Sequence, residues 1–344
     1  MKHEIDLSKY QIRTDLAVEA IENVEDRTGI EEITHEQENI KVTKITLDSK
    51  SAKSIHKKTG DYITIEFKDI SDYQNRQEIK QVFTKNLKEL LIKENLKEDA
   101  QCLVVGLGNR KSTPDALGPL TIDQILVTNH LFLLDTPEEG FRPVCAIAPG
   151  VMGETGIETS DLIQSVIAVA KPDFVIVVDA LASQSITRIN QTIQMSNTGI
   201  HPGSGIGNSR KEISKDILGI PVIAIGVPTV VDAVTVVSDT LQFLHKFYAF
   251  QKDFAHNPMY KMVYGQVNYL KQEINIKEEE KKELFGILGN FNEEETKVLI
   301  NEVLTPIGYN LMVTPKEVDF VMQNLSDVLG NGINQALHRN VTHL

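Results

Sequence analysis

Hydrophobic positions along the chain fall into two registers. Uninterrupted apolar runs too short for a helix, Cys102-Leu-Val-Val105 and Phe174-Val-Ile-Val-Val178, predict strands of a parallel sheet covered on both faces. Strict alternation in Ile63, Ile65 and Phe67 against Thr64 and Glu66 predicts a half-buried strand. The run from Ile40 to Leu47 is its antiparallel edge partner, with turn chemistry at Thr59-Gly60. Between these registers lie helical spacings. Ile79, Val82, Phe83, Leu87, Leu90 and Leu91 mark one helix face, and Leu120 to Leu134 reads as a second helix. Leu162, Ile163, Val166, Ile167 and Val169 line a third, capped by Thr159 or Ser160. Pro315 opens a last helix, with Val318, Val321, Leu325 and Val328 turned inward.

Adding the runs 143–147 and 221–227 as strands gives a chain in which strands and helices alternate. That order predicts an α/β fold: a doubly wound, mostly parallel sheet flanked by helices, with an N-terminal β-rich extension. The expected organisation is an extension over 16–86, a core sheet over 87–250 and a helical C-terminal part over 251–344. Glu278-Glu-Glu-Lys-Lys-Glu283 lies in a charged stretch, 271–297, that reads as a solvated helix with its loops. Met1 to Glu25 is polar, lacks a strong period and reads as a mobile leader.

Chemistry appears where the two buried runs end. The first opens into Gly106-Leu-Gly108-Asn109 and a loop reaching Asp115; the second ends on Asp179. Ligands of open α/β sheets sit beyond the carboxyl ends of strands, so Asp115 and Asp179 read either as a working pair or as two helix caps. His201, in the glycine loop 199–207, reads as a base, a metal ligand or a structural residue.

Composition narrows the classes. A length of 344 residues with 41% hydrophobic residues supports a sizeable core, and a formal charge of −13 argues against direct nucleic-acid binding. Cys102 and Cys145 read as free thiols beside strands, which points to the cytoplasm. No apolar run of membrane-spanning length and no export segment is evident. Lys111 stands where a dinucleotide loop has its third glycine, and His35-Glu-Gln-Glu-Asn39 fails as a zinc motif. Walker, Gly-x-Ser-x-Gly and Asp-Thr-Gly motifs are absent, so no cofactor is called for.

Longer motifs are more specific. Gly106-Leu-Gly-Asn109, Thr113-Pro-Asp-Ala-Leu-Gly-Pro119, Pro149-Gly-Val-Met-Gly153, Gly199-Ile-His-Pro-Gly-Ser-Gly205, Gly226-Val-Pro-Thr-Val-Val-Asp-Ala233 and Asn310-Leu-Met-Val-Thr-Pro-Lys-Glu-Val318 resemble the germination protease family of spore-forming bacteria. The likeness runs from Asp6-Leu-Ser-Lys-Tyr10 to Leu337-His338 and departs at Asn109–Ser112 and over 250–290. It implies a cytoplasmic endopeptidase of the spore core that begins the degradation of small acid-soluble spore proteins at germination. It further implies a homotetramer made as a self-cleaving zymogen, with 1–15 as propeptide, 16–344 as the peptidase and Asp15-Leu16 as the bond cut. Within that resemblance Asp115 and Asp179 are the two essential carboxylates of an atypical aspartic peptidase. The core is also similar to hydrogenase maturation proteases.

Read for chemistry, paired carboxylates separate their apparent pKa values, so one can act as base and the other as acid. The amides of Gly106, Gly108 and Asn109 are candidates to steady an oxyanion. Arg142, Arg188, Arg210 and Lys211 are candidates for a basic subsite. Two other readings stand beside this one: a metal-dependent peptidase in which Asp115, Asp179 and His201 gather a divalent ion, and a noncatalytic module whose glycine loops cradle an anion.

Overall fold

The computed structural model describes residues 14–341 apart from 23, 25, 38, 135–138, 204–209, 257–277 and 305–310. Most of the polar leader, part of the charged stretch, Gly205 and Asn310 therefore lie outside the described residues. The chain divides into two compact units. The larger holds Arg13–Ser183, Thr187–Val230 and Thr314–Leu344; the smaller holds Gln184–Ile186 and Val231–Val313.

In the larger unit the elements run α1 (Ala17–Glu22), β1 (Ile30–Gln37), β2 (Ile40–Leu47), α2 (Ser49–Ser54), β3 (Gly60–Phe67), α3 (Tyr73–Lys93) and β4 (Cys102–Gly106). A 3₁₀ turn over Thr113–Asp115 follows, then α4 (Leu117–Ile122), α5 (Asn129–Leu134), β5 (Val144–Ile147), α6 (Met152–Thr155), α7 (Thr159–Ala170) and β6 (Phe174–Ser183). Next come β7 (Thr192–Ser196), α8 (Lys215–Leu218) and β8 (Val222–Asp232). After β8 the smaller unit contributes α9 (Ala233–His256), α10 (Glu278–Phe285), α11 (Glu293–Leu304) and β9 (Met312–Val313), and the chain ends in the larger unit with α12 (Val318–Leu337).

The sheet has the order β1-β2-β3-β7-β8-β6-β4-β5. Its β6-β4-β5 part is parallel, and the N-terminal strands add an antiparallel extension through β3 and β7. Alternate side chains of β4 supply two cores: Cys102 and Val104 join α3, α4 and α12, whereas Leu103 and Val105 join Ile163 of α7 and Val175 and Val177 of β6. Helices thus cover both faces, the condition under which central strands read as continuous apolar runs. A third cluster, central to the site below, gathers Leu16, Ala17, Val18 and Ile21 against Ile45, Leu47, Ala52, Ile55, Tyr62 and Leu181. In the smaller unit, Val231 and Asp232 pair with β9, and Asp232 caps α9 by accepting from the Thr235 N–H at 2.6 Å. Among the described residues no helix is long and apolar enough to cross a membrane.

Several details differ from the sequence expectations. Strand β2 pairs with β3 in register, yet the edge is β1, whose exposed pattern hid it. Strand β7 is an element the sequence expectations left out, although Ile193 and Met195 alternate with Thr192, Gln194 and Ser196 over its five residues. The helix expected over 120–134 is two short ones, because tertiary partners take the backbone between them. The Leu126 N–H donates to Asn334 Oδ1 at 2.9 Å and the Thr128 N–H to the Val144 carbonyl at 3.1 Å. Glu158, not Thr159 or Ser160, occupies the cap of α7, without a side-chain bond. Strand β6 does not stop at Asp179 but continues to Ser183, since Leu181 and Ala182 still have a core to enter.

Candidate active site

Asp179 marks a strand end in a narrower sense. The β4–β6 ladder closes at Gly106↔Val178, so Asp179 is the first β6 residue beyond its neighbour's last rung. From there the β4 chain turns back on itself. Gly108 has φ 112°, and a Cβ there would lie 2.0 Å from the Asp115 carbonyl oxygen. A Cβ on Gly106 would lie 2.3 Å from the Gly118 oxygen. Glycine at both positions is what lets the loop seat the Thr113–Asp115 turn against the end of β4. Thr229 Oγ1 donates to the Pro114 carbonyl at 2.7 Å and holds the turn from β8.

Asp115 caps no helix; the cap position of α4 is Ala116. Its Oδ2 accepts from the Asn109 N–H at 2.9 Å. That amide, a candidate for an oxyanion, is turned to the carboxylate instead. Asp179 Oδ1 accepts from the Ala180 N–H at 2.9 Å and the side chain is buried. Burial pushes the Asp179 carboxyl well above the ordinary carboxylate range, and the adjacent Asp115 and Asp15 carboxylates push it the same way. Burial also raises Asp115, against the pull of the Asn109 N–H and the Arg210 charge. The two expected carboxylates are therefore electrostatic neighbours, with Arg210 acting on both.

A stretch of the chain's own N-terminal part lies against this pair. The Ala182 N–H donates to Asp15 Oδ2 at 3.1 Å, three residues beyond Asp179. Leu16 and Ala17 are fully buried in the third cluster. Gln194 brackets Leu16: its Nε2 donates to the Asp15 carbonyl at 3.0 Å and its Oε1 accepts from the Ala17 N–H at 2.6 Å. Lys57 Nζ donates to the Thr14 carbonyl at 2.7 Å and to the Asp15 carbonyl at 3.0 Å. Burial lowers the Lys57 pKa, against the Asp15 and Glu19 carboxylates that raise it. Lys57 reaches this place because His56 adopts φ 53° after α2, and the Lys57 N–H then closes onto the Ala52 carbonyl at 2.9 Å.

Further along, Glu19 accepts from Ser183 Oγ at 2.6 Å and pairs with Arg188 Nη1 at 3.4 Å. Thr14 Oγ1 donates to Glu19 Oε2 and accepts from the Leu16 N–H at 3.0 Å. Of the four basic residues singled out from sequence, Arg188 meets this segment, and the charge of Arg210 acts on the two carboxylates. Arg142 instead binds the Glu98 and Lys97 carbonyls and covers the Phe174 ring, and Lys211 pairs with Asp161 at 2.7 Å. His201 lies opposite Glu212 Oε2 at 3.4 Å. Among the described residues no three His, Cys, Asp or Glu side chains converge as a metal site. Lys57, Gln194 and Ser183 had no signal in the sequence, being one lysine among many and two polar residues on strands.

Comparison with known proteins decides the family. The germination protease family model matches residues 8–343. The chain belongs to the germination protease family. Germination proteases of Bacillus cereus and Bacillus mycoides are each 48% identical over 357 aligned positions, covering 99% of this chain and 97% of theirs. That of Bacillus anthracis is 48% identical over 358. Membership makes the chain a peptidase and a hydrolase acting on protein. A solved structure, the [NiFe] hydrogenase maturation protease HycI of Thermococcus kodakarensis, aligns at 20% identity and TM-score 0.27 over 40% of this chain and 80% of its own.

Proposed function

We propose that this member of the germination protease family is an atypical aspartic endopeptidase in which Asp115 and Asp179 activate water between them, and that it is made as a zymogen that cuts its own Asp15–Leu16 bond. The observation carrying the reading is the placement of Asp15: its carboxylate acts on Asp179 and is tied to the Ala182 N–H on the same strand. Two carboxyls that cannot both ionise cheaply share a proton, so the ionised one takes a proton from water while the other delivers its own to the departing amine. The divergence of their environments suits this division, with Asp179 the more strongly raised of the two.

Residues 1–15 are then the propeptide, and 16–344 the mature peptidase. The segment Thr14-Asp-Leu-Ala-Val-Glu19 occupies the position that a protein substrate of the same pattern would take, which fits small acid-soluble spore proteins as substrates, in the cytoplasm of the spore core, for an enzyme assembled as a homotetramer. Because Asp15, still joined to Leu16, lies against Asp179 and keeps the segment docked where such a substrate would lie, the intact N-terminal segment restricts access. The deciding experiment incubates the full chain under mildly acidic conditions with a synthetic Thr-Asp-Leu-Ala-Val-Glu peptide, and follows both by N-terminal sequencing. New termini at leucine are expected in each. Absence of cleavage in chain and peptide alike rejects the reading, and equal peptide rates for the full chain and a chain starting at Leu16 reject the restriction of access.

A further inference from the structure

Lys57 and Gln194 lie on the oxygen of one particular carbonyl, that of Asp15, at 3.0 Å each. Resting on the function proposed above, we propose that these two side chains form the oxyanion site of the peptidase, with Lys57 a further catalytic residue and Gln194 the residue that sets the register of the bond to be cut.

The choice of partners supports a role beyond anchoring. The Asp15 and Glu19 carboxylates act on Lys57 through their charge, yet the hydrogen bonds of its Nζ go to two successive backbone carbonyls, Thr14 and Asp15. Backbone contacts do not depend on the substrate's side chains, so the same donors serve any protein strand in the groove. Gln194 behaves likewise: its amide bonds the main chain on both sides of Leu16, the way a neighbouring strand would. Both donors are also held from behind. Gln194 stands on β7 between Thr64 of β3 and Gly226 of β8, and Lys57 is fixed by the turn at His56. Donors already in place need no reorganisation as charge develops.

The ionised aspartate takes one proton from water as the water oxygen bonds to the Asp15 carbonyl carbon, and the C=O electron pair moves onto the oxygen facing Lys57 and Gln194. There the ammonium meets a full negative charge in place of a neutral carbonyl, so its hydrogen bond is stronger in the transition state than in the ground state. When the C–O double bond re-forms, the C–N bond breaks, its pair stays on the Leu16 nitrogen, and that nitrogen takes the proton of the other aspartic carboxyl.

The test follows the first-order appearance of the Leu16 terminus in the full chain, together with hydrogen exchange at the Ala17 N–H as a report on docking. In Lys57→Met the cut is expected to slow by about 10²-fold or more while Ala17 protection stays as in the wild type. Lys57→Gln, which keeps a donor without the charge, should fold where Met does not, and should slow the cut by about tenfold or more with the same protection. A cut within about threefold of wild type in either variant, or slowing matched by loss of Ala17 protection, overturns the proposal, the second by showing an anchor only. Wild-type chain that never cuts at Leu16 sinks the underlying function instead, so the two failures are distinguishable.

Discussion

Arg188 and Glu19 stand 169 residues apart in sequence and 3.4 Å apart in the fold, and Arg188 also faces Glu22 and, at 3.1 Å, Glu66. One guanidinium thus gathers three carboxylates from α1 and β3. Removing it by Arg188→Met leaves those carboxylates facing one another, two of them poorly solvated. Stability is expected to fall by about 3 kcal/mol, read as a lower denaturant midpoint, and Glu19→Gln in the same chain should recover part of the loss. An unchanged midpoint in Arg188→Met would show that the pair holds nothing.

Asp115→Asn and Asp179→Asn are each expected to reduce peptide cleavage and cutting at Leu16 by ~10³-fold or more, with the fold retained. Circular dichroism and a single-turnover assay check the two halves of that statement. Near-normal turnover in either variant would remove that residue from the mechanism.

The raised Asp179 pKa also makes a stability prediction. The folded chain holds this proton more tightly than the unfolded one does. Its stabilising contribution is therefore complete below the ordinary carboxylate pKa of about 4 and is lost as pH rises through the raised folded value. Asn carries no such proton, so Asp179→Asn should be more stable than wild type at neutral and alkaline pH, with the gap closing towards about pH 4. Parallel urea melts across that range decide it; a gap independent of pH would contradict the assignment.

Gly108→Ala sets a Cβ against the Asp115 carbonyl oxygen at a left-handed φ. The chain is expected to lose about 1–3 kcal/mol, and cleavage to fall further than stability alone requires, because the displaced backbone is that of Asp115. Comparing cleavage at a temperature where both proteins are fully folded separates the two effects.

The amino-acid sequence alone determined the alternation of buried strands and amphipathic helices, because continuous apolar runs such as 102–105 and 174–178 and the spacing of Ile79 to Leu91 are local signals. It also marked Asp115 and Asp179, each the first acidic residue after a buried apolar run. It could not show β1, whose residues carry little apolar pattern of their own, and left β7 a five-residue alternation too short to stand out; nor could it show the break between α4 and α5, which exists because Asn334 and Val144 supply partners to that backbone. Only the tertiary structure decided that Lys57, Gln194, Ser183 and Arg188 converge on Thr14–Glu19. Sequence patterns report burial along one element, whereas a site made of polar side chains from four separate elements has no period, and its members become neighbours only when the sheet order places β7 and β6 beside the docked segment.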